Sequence, residues 1–432
     1  MRIKIILDAQ IIPSDKAGGM QPFISNLVQS LGKLQDGFED YIVITHWQYP
    51  EWLEPYLGNN QRIVQGPKPV EQSKNSVGEQ FKRLLGPLRA PVGEMWRWYM
   101  GKICRSSPSY QPTIPDLSNF YNAIGGDVVH IPHQSYSRCS LPVIYNPHDL
   151  QHIHYPSFFE KNQIVWREMV YGVGCRESKA IIAESNWAKK DIIRNYKIDP
   201  KKVFTILRGS PTESLTQLTN DFLKKVKLNL KLPDCFMFYP AQTWPHKNHL
   251  HLLEAIKLLW DRDGLYINLV CTGNRNDFWP VLEHAINSMN LKNQVYFLGF
   301  ISSRELKAVY RLSEFLVFPS LFEGGGFPIV EAFTEGTPVI CSNATALPEY
   351  GGDAVLLFDP SSPESIAETI KKVYLDDKLK ETLRRNGARR IRSLTWERTA
   401  RTYRALYQKT AGCILNEEDI SLLELSQAES CS

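Results

Sequence analysis

Short apolar runs alternate with amphipathic stretches along almost the whole chain. "IKIILD" reads as a first strand, followed by a Gly18-Gly19 loop and a helix with apolar positions Phe23, Leu27, Leu31 and Leu34. "YIVITH", "DVVHIP", "LPVIYN", "AIIAES" and "VFTIL" are further short apolar runs, the last ending near Arg208-Gly209-Ser210-Pro211. The pattern then restarts with "CFMFYPA", "YINLVCTG", "QVYFLGF", "EFLVFPS" and "TPVICS". Helical stretches such as "HLHLLEAIKLLW" and "SRELKAVYRL" separate most of these. Buried strands alternating with helices predict parallel sheets and right-handed crossovers. Two such series, joined near residues 208–234, predict an α/β protein of two doubly wound Rossmann-like domains facing each other. The expected boundaries are 1–208, 209–395, and 396–432 for a final helix and tail. In such sheets ligands sit outside the carboxyl ends of the strands.

Two stretches break the pattern. Residues 67–125 form an insertion rich in Pro, Arg and aromatics. Within 79–105, Lys82, Arg83, Arg89, Arg97, Lys102 and Arg105 face only Glu79 and Glu94, with Phe81, Trp96, Trp98 and Tyr99 interleaved. That mixture suits contact with an anionic membrane surface. It equally suits a helical excursion that packs Trp96 and Tyr99 into the first domain. The tail, 414–432, has five acidic residues and no basic one, and reads as frayed or weakly helical. Before it, "LTWERTARTYRALY" places Trp396, Ala400, Tyr403 and Tyr407 on one helix face, a structural pattern.

Composition adds bounds. A chain of 432 residues exceeds one ordinary core, which favours two domains. The net charge of +4 argues neither for nor against nucleic acid, and no nucleic-acid partner is expected. Eight scattered cysteines without CxxC spacing read as free thiols of a reducing compartment. "MRIKIILDAQ" reads as a strand rather than a signal peptide, and no apolar run approaches the roughly 20 residues of a membrane span. A cytoplasmic location, with peripheral contact at the inner membrane face, is the expectation.

The chemistry concentrates in "SLFEGGGFPIVEAF", Ser320 to Phe333. Glu323 follows an apolar strand. Gly324, Gly325 and Gly326 permit tight turns and close approach of a ligand to the backbone. Pro328 suits the start of a new helix, which places Glu331 on its first turn. Free N–H groups at that helix start, near Phe327, favour an anion, most naturally phosphate. A carboxylate beside a phosphate site accepts hydrogen bonds from a vicinal diol instead. A ligand with a diol at each end and phosphates between is a nucleotide sugar. The spacing therefore suggests Glu323 on sugar hydroxyls, backbone amides on phosphate and Glu331 on ribose. The plain alternative is a glycine loop flanked by chance acids. In "YPAQTWPHKNHL", Lys247 precedes a helix and can reach a diphosphate as a point charge.

The stretch resembles the E-x7-E signature of retaining family 4 glycosyltransferases, which have the GT-B fold. "GTPVICSNATALPEYGGDAVLLFDP" is also similar to that family, in the subgroup of O-antigen mannosyltransferases. The similarity covers residues 1–60, 126–210 and 236–410. It implies a retaining, metal-independent hexosyltransferase without a cofactor, in which the nucleotide sugar is a substrate. GDP-mannose is the subgroup's donor; glucose, galactose and rhamnose donors stay open. The acceptor implied is a glycan, often lipid-linked, in surface polysaccharide or O-antigen synthesis. The resemblance assigns Glu323, His148 and Lys247 to catalysis. It assigns Gly18, Gly19, Ser185, Gln242, Gly324, Gly325, Gly326, Phe327 and Glu331 to substrate binding. Gln242 stands where the family has an arginine, which leaves more of the phosphate charge to Lys247, with Arg208 a candidate further cation. The family usually has an aromatic at the position of Gly325.

Other readings carry less. His148, Asp149, His152 and His154, with His133 and Cys139, fit no standard zinc spacing. Asp261 and Asp263 in "WDRDG" follow a helix, whereas a metal-binding D-x-D ends a strand. No G-x-G-x-x-G follows the first strand, which argues against a dehydrogenase. The rival functions are an epimerase of the same fold and a non-catalytic nucleotide-sugar binder. The second would lose Glu323 or His148, and both are present.

Overall fold

The computed structural model describes residues 2–14, 19–68, 112–210 and 218–428. The basic and aromatic segment 79–105 and Gly18 lie outside them. Two parallel sheets carry the described chain. The first comprises β1 (Ile3–Ala9), β2 (Glu39–Thr45), β3 (Gln61–Gln65), β4 (Val128–Ile131), β5 (Val143–His148), β6 (Ala180–Ala183) and β7 (Val203–Thr205). Its order is β3-β2-β1-β4-β5-β6-β7. The second comprises β8 (Phe236–Pro240), β9 (Asn268–Thr272), β10 (Val295–Phe297), β11 (Phe315–Phe318), β12 (Val339–Ser342) and β13 (Val355–Phe358). Its order is β10-β9-β8-β11-β12-β13. The expected two doubly wound α/β units are therefore present. Central strands are buried on both faces: β4, β6, β11 and β12 are buried at every position, which is why they read as continuous apolar runs.

Strand order reverses between β1 and β4 in one sheet and between β8 and β11 in the other. Loops leaving adjacent strands diverge at such a point and open a crevice. Lys247 follows β8 and Glu323 follows β11, so the second crevice receives both.

The helix Trp396–Thr410 follows the second sheet in sequence but packs on the first. Trp396, Ala400, Tyr403 and Tyr407 are buried against Phe23, Ile24 and Leu27 of the helix Met20–Lys33 and the β1 side chains. A buried polar chain fastens it. The Tyr407 hydroxyl meets His130 Nδ1 at 2.8 Å, His130 Nε2 meets Asn146 Oδ1 at 2.9 Å, and Asn146 donates to the Tyr403 hydroxyl at 3.2 Å. Burial pulls His130 down to about 3, so its ring is neutral and can pair within this chain.

The tail differs from the expectation. Glu417–Gln427 is a helix, and Leu423 is buried in the first domain's core. Asn416 caps it by accepting from the Asp419 N–H at 2.8 Å. Glu417, Glu418 and Asp419 occupy its first turn, where the helix dipole favours negative charge. Lys189 Nζ donates to the Gln427 carbonyl at 2.7 Å at the other end. Acidity that read as a sign of disorder is the charge complement of a docked helix.

Candidate active site

Lys247 and Glu323 meet at the β8/β11 crevice, Nζ to Oε1 at 2.6 Å. Both are mostly shielded, with side-chain exposures of 19% and 15%. Each is positioned from its backbone. The Tyr239 hydroxyl donates to the Lys247 carbonyl at 2.7 Å. Asn248, at φ 59°, turns the chain into the helix His249–Asp263, and its amide donates to the carbonyls of Pro319 and Pro360 at 3.0 and 2.7 Å. Left-handed backbone is uncommon outside glycine, and asparagine tolerates it best. The Glu323 N–H donates to Thr345 Oγ1 at 2.9 Å. Gln242 shares the loop with Lys247, but its Oε1 accepts from the Trp244 indole at 2.9 Å.

Gly326 caps the helix Phe327–Thr334, with Pro328 in its first turn. Gly324, Gly325 and Gly326 run along the seam between the domains. A Cβ on Gly324 would lie 2.7 Å from the His148 carbonyl oxygen, and one on Gly325 2.9 Å from Glu184 Oε2. One on Gly326 would strike the Tyr350 side chain at 2.7 Å. Close approach thus requires glycine at 324 and 326, where the neighbours are backbone and the base of a buried ring; at Gly325 the neighbour is the end of a carboxylate side chain. Ser185 crosses the seam: its hydroxyl donates to the Gly324 carbonyl at 2.9 Å while accepting from the Ala188 N–H at 3.0 Å as a helix cap.

His148 faces this loop from the end of β5. Its φ of 66° is left-handed, an unusual state for a non-glycine residue that only its surroundings can hold. Nδ1 lies 2.5 Å from Glu184 Oε1 and Nε2 lies 3.0 Å from the Pro132 carbonyl. The Phe23 ring packs edge-on at 5.6 Å. Arg208 Nη2 also bonds Glu184 Oε1 and lies 3.3 Å from His148 Nδ1. Burial opposes the Glu184 charge, but Arg208 and His148 outweigh it and hold the carboxyl down to about 2. The Tyr350 hydroxyl, from the second domain, donates to the Glu184 carbonyl at 3.0 Å.

Glu331 is half-buried and accepts from the Tyr310 hydroxyl at 2.8 Å; it lies past the first turn of the helix Phe327–Thr334, not on it as expected, because the helix already starts at Phe327 and its first turn carries no acid. Burial raises its carboxyl to about 7 against the opposing hydrogen bond. Gly19 begins the helix Met20–Lys33, and its carbonyl lies 3.4 Å from Arg208 Nη1. The structure therefore brings Lys247, Glu323, Gly324, Ser185 and His148 into one contiguous seam. Gln242 is engaged by Trp244, and Glu331 by Tyr310. His152 and His154 turn elsewhere: His152 lies 3.0 Å from Glu168 and His154 2.8 Å from Asp191. Asp263 pairs with Arg262 and Lys371 at the end of its helix.

Sequence reasoning passed over Glu184, Tyr350 and Thr345. Glu184 carried a signal, an acid directly after a buried strand and beside a cap residue. Tyr350 and Thr345 carried none, because their partners are distant in sequence. Glu349 also stands on the seam: its carboxylate receives the Asn186 N–H at 2.7 Å and the Asn186 side-chain amide at 2.8 Å, capping the helix Asn186–Tyr196 from the other domain.

Two protein-family models match the chain. Glycosyltransferase Family 4 covers residues 17–214 and Glycosyl transferases group 1 covers residues 221–390. O-antigen chain mannosyltransferase B of Escherichia coli is 26% identical over 250 residues, 58% of this chain and 66% of that protein. O-antigen chain mannosyltransferase RfbU of Salmonella typhimurium is 28% identical over 239 residues, 54% of this chain and 62% of that protein. The match thus spans just under two thirds of the length of these curated relatives. Among solved structures, HepE of Anabaena in complex with UDP and glucose superposes with a TM-score of 0.66 at 15% identity, covering 94% of this chain and 100% of that one.

Proposed function

This chain belongs to the family 4 glycosyltransferases of GT-B fold, and from that premise we propose that it transfers a hexose from a nucleotide sugar to a glycan hydroxyl with retention of configuration. The observation that carries the reading is the Lys247–Glu323 pair at the β8/β11 crevice, beside a glycine loop and a helix start. GDP-mannose is the proposed donor; the mannosyltransferase names of two relatives support the sugar, and the nucleotide is what the test below decides. A lipid-linked glycan of surface polysaccharide or O-antigen synthesis is the proposed acceptor, met on the cytoplasmic side of the membrane. Among the described residues, no helix is long and apolar enough to cross a membrane.

The bond that breaks joins the anomeric carbon to the diphosphate oxygen, which leaves with the electron pair. Lys247 and the N–H groups at the start of the helix Phe327–Thr334 stabilise that developing charge. Glu323 holds sugar hydroxyls and so fixes the ring. The acceptor oxygen bonds the anomeric carbon on the face the diphosphate leaves, and its proton passes to the departing phosphate oxygen. Charge neutralisation is assigned to the protein, so turnover is expected to survive EDTA. No cofactor enters the step. His148 lines the seam, where its carbonyl approaches Gly324 and its ring is held by Glu184. The closed seam excludes water and limits donor hydrolysis.

The test is calorimetry and donor turnover across GDP-, UDP- and dTDP-sugars. GDP-mannose should bind most tightly and be turned over. Exclusive binding of another sugar nucleotide would reassign the donor. Isomerisation without transfer would mark an epimerase, and binding without any turnover a non-catalytic protein.

A further inference from the structure

We propose that Arg208 is a second ligand of the donor diphosphate, presented from the first domain and held on Glu184 until the donor arrives. This rests on the donor reading above and adds a residue to it.

The charge inventory of the second domain motivates it. The loops leaving β8 and β11, residues 241–248 and 319–326, contain His246 and Lys247 as their only basic residues. Burial and the neighbouring Lys247 charge hold His246 well below the ordinary imidazole range, so it is neutral. Lys247 is already matched by Glu323 at 2.6 Å. Gln242 carries no charge and is engaged by Trp244. A diphosphate brings at least two negative charges, so these loops alone leave it undercompensated.

Among the described residues, Arg208 is a cation that the facing domain brings to this loop. It follows β7, and its side chain is 11% exposed. Its guanidinium packs 4.3 Å from the Phe23 ring centre, while Nη1 reaches toward the Gly19 carbonyl at 3.4 Å. Nη2 rests on Glu184 Oε1, and the other oxygen of that carboxylate would lie 2.9 Å from a Cβ on Gly325. One carboxylate therefore separates Arg208 from the glycine loop. Nε is buried and makes no hydrogen bond among the described residues. The Arg208 N–H is tied to the Tyr350 hydroxyl at 3.3 Å, and Tyr350 underlies Gly326. A planar guanidinium fork at this place suits phosphate oxygens, which it can bind bidentately.

Glu184 then has a definite role. An unpaired guanidinium in so shielded a place would be costly, and Glu184 supplies its counter-ion while the donor is absent. On donor binding, Arg208 exchanges one anion for another. Arg208 and Glu184 belong to the first domain and the glycine loop to the second. The exchange therefore makes tight donor binding depend on the closed seam.

The experiment measures GDP affinity by calorimetry, with UDP and dTDP as alternates, on full-length variants whose folding is checked by thermal melting. Arg208→Ala should weaken nucleoside diphosphate binding about tenfold or more, and Arg208→Lys less, as expected for one charge-assisted contact. Gln242→Arg in the Arg208→Ala background should restore affinity, because it returns a cation to the loop that holds Lys247. Glu184→Gln removes the competing anion and should tighten binding about threefold or more. A merely structural Arg208–Glu184 pair predicts the opposite sign for that variant. Binding within twofold of wild type for Arg208→Ala, or weaker binding for Glu184→Gln, overturns the inference and leaves the donor reading intact. Failure of wild type to bind any of the three nucleotides overturns both.

Discussion

Replacing Glu331 by glutamine should stabilise the donor-free protein at alkaline pH while weakening the donor. Burial holds this carboxyl at about 7 in the fold, against 4.5 for a free glutamate. The native state therefore binds the proton more tightly than the unfolded chain does. That contribution is fully present below about pH 4.5 and is lost as pH rises through about 7. The gap corresponds to about 3 kcal/mol when Glu331 is ionised. Part of the side chain reaches solvent, so about 2 kcal/mol is the working figure. Glutamine keeps an acceptor for the Tyr310 hydroxyl and carries no charge. Glu331→Gln should then melt about 5 °C above wild type at pH 8.5, by the usual scaling for a domain of this size. At pH 4.5 the two should melt within about 1 °C. Thermal melts without nucleotide read the effect directly. Ribose binding has the opposite requirement, an ionised carboxylate with two acceptor oxygens, so GDP affinity at pH 8.5 should fall about tenfold in the variant. An equal gain in melting temperature at both pH values would show that charge is not its source. No gain at pH 8.5 would refute the buried-charge argument outright.

Glu323→Gln should lower turnover about a hundredfold or more, since it removes a contact expected to position the reacting sugar; near-normal turnover in a folded variant would remove Glu323 from the mechanism. Lys247→Ala should abolish measurable transfer and weaken GDP, and unchanged affinity would place the phosphate elsewhere. Gly324→Ala puts a methyl 2.7 Å from the His148 carbonyl across the seam, so turnover should drop at least tenfold and GDP binding should weaken with it; unchanged turnover and affinity would show that the seam is not needed. Co-sedimentation with anionic vesicles at low salt tests the basic segment 79–105, and binding that survives replacement of Arg97, Lys102 and Arg105 by glutamate would eliminate membrane docking.

The helices and central strands were legible because burial imposes a strict pattern on them. β3, "QRIVQ", and β13, "VLLF", were not read as strands from the sequence, and both are edge strands with incomplete burial. An edge strand satisfies fewer neighbours, so its sequence is less constrained. The donor-side loop was legible for a different reason. Glu323, the three glycines and Glu331 all fall between residues 323 and 331, so their candidate chemistry shows in one short run. The first-domain half of the seam is assembled from strand ends far apart in sequence. His148 ends β5, and Glu184 and Arg208 follow β6 and β7, adjacent only once the sheet forms. Parallel order turns three separate residues into one row, and a local pattern cannot display that. The tail's docking was missed through composition: the same acids can solvate a frayed segment or cap a helix, and the buried Leu423, the Asn416 cap and the Lys189 contact decide between them.

Both sides of the seam follow one electrostatic rule. Two cations near the glycine loop are each matched by a carboxylate, Lys247 by Glu323 and Arg208 by Glu184. The two pairs differ in what the donor would do to them. Glu323 and Lys247 can each find a partner on the same ligand, the first on sugar hydroxyls and the second on phosphate, so their pairing is replaced at both ends. Glu184 loses its guanidinium partner to an anionic donor, but it keeps His148 at 2.5 Å. Releasing Arg208 therefore leaves Glu184 hydrogen-bonded rather than stranded. Without that histidine the exchange would bury an unpaired carboxylate, which is strongly unfavourable. The unusual backbone of His148 has a physical role on this view: it turns the ring toward Glu184 while its carbonyl stays against Gly324, so one residue secures the counter-ion and the seam together.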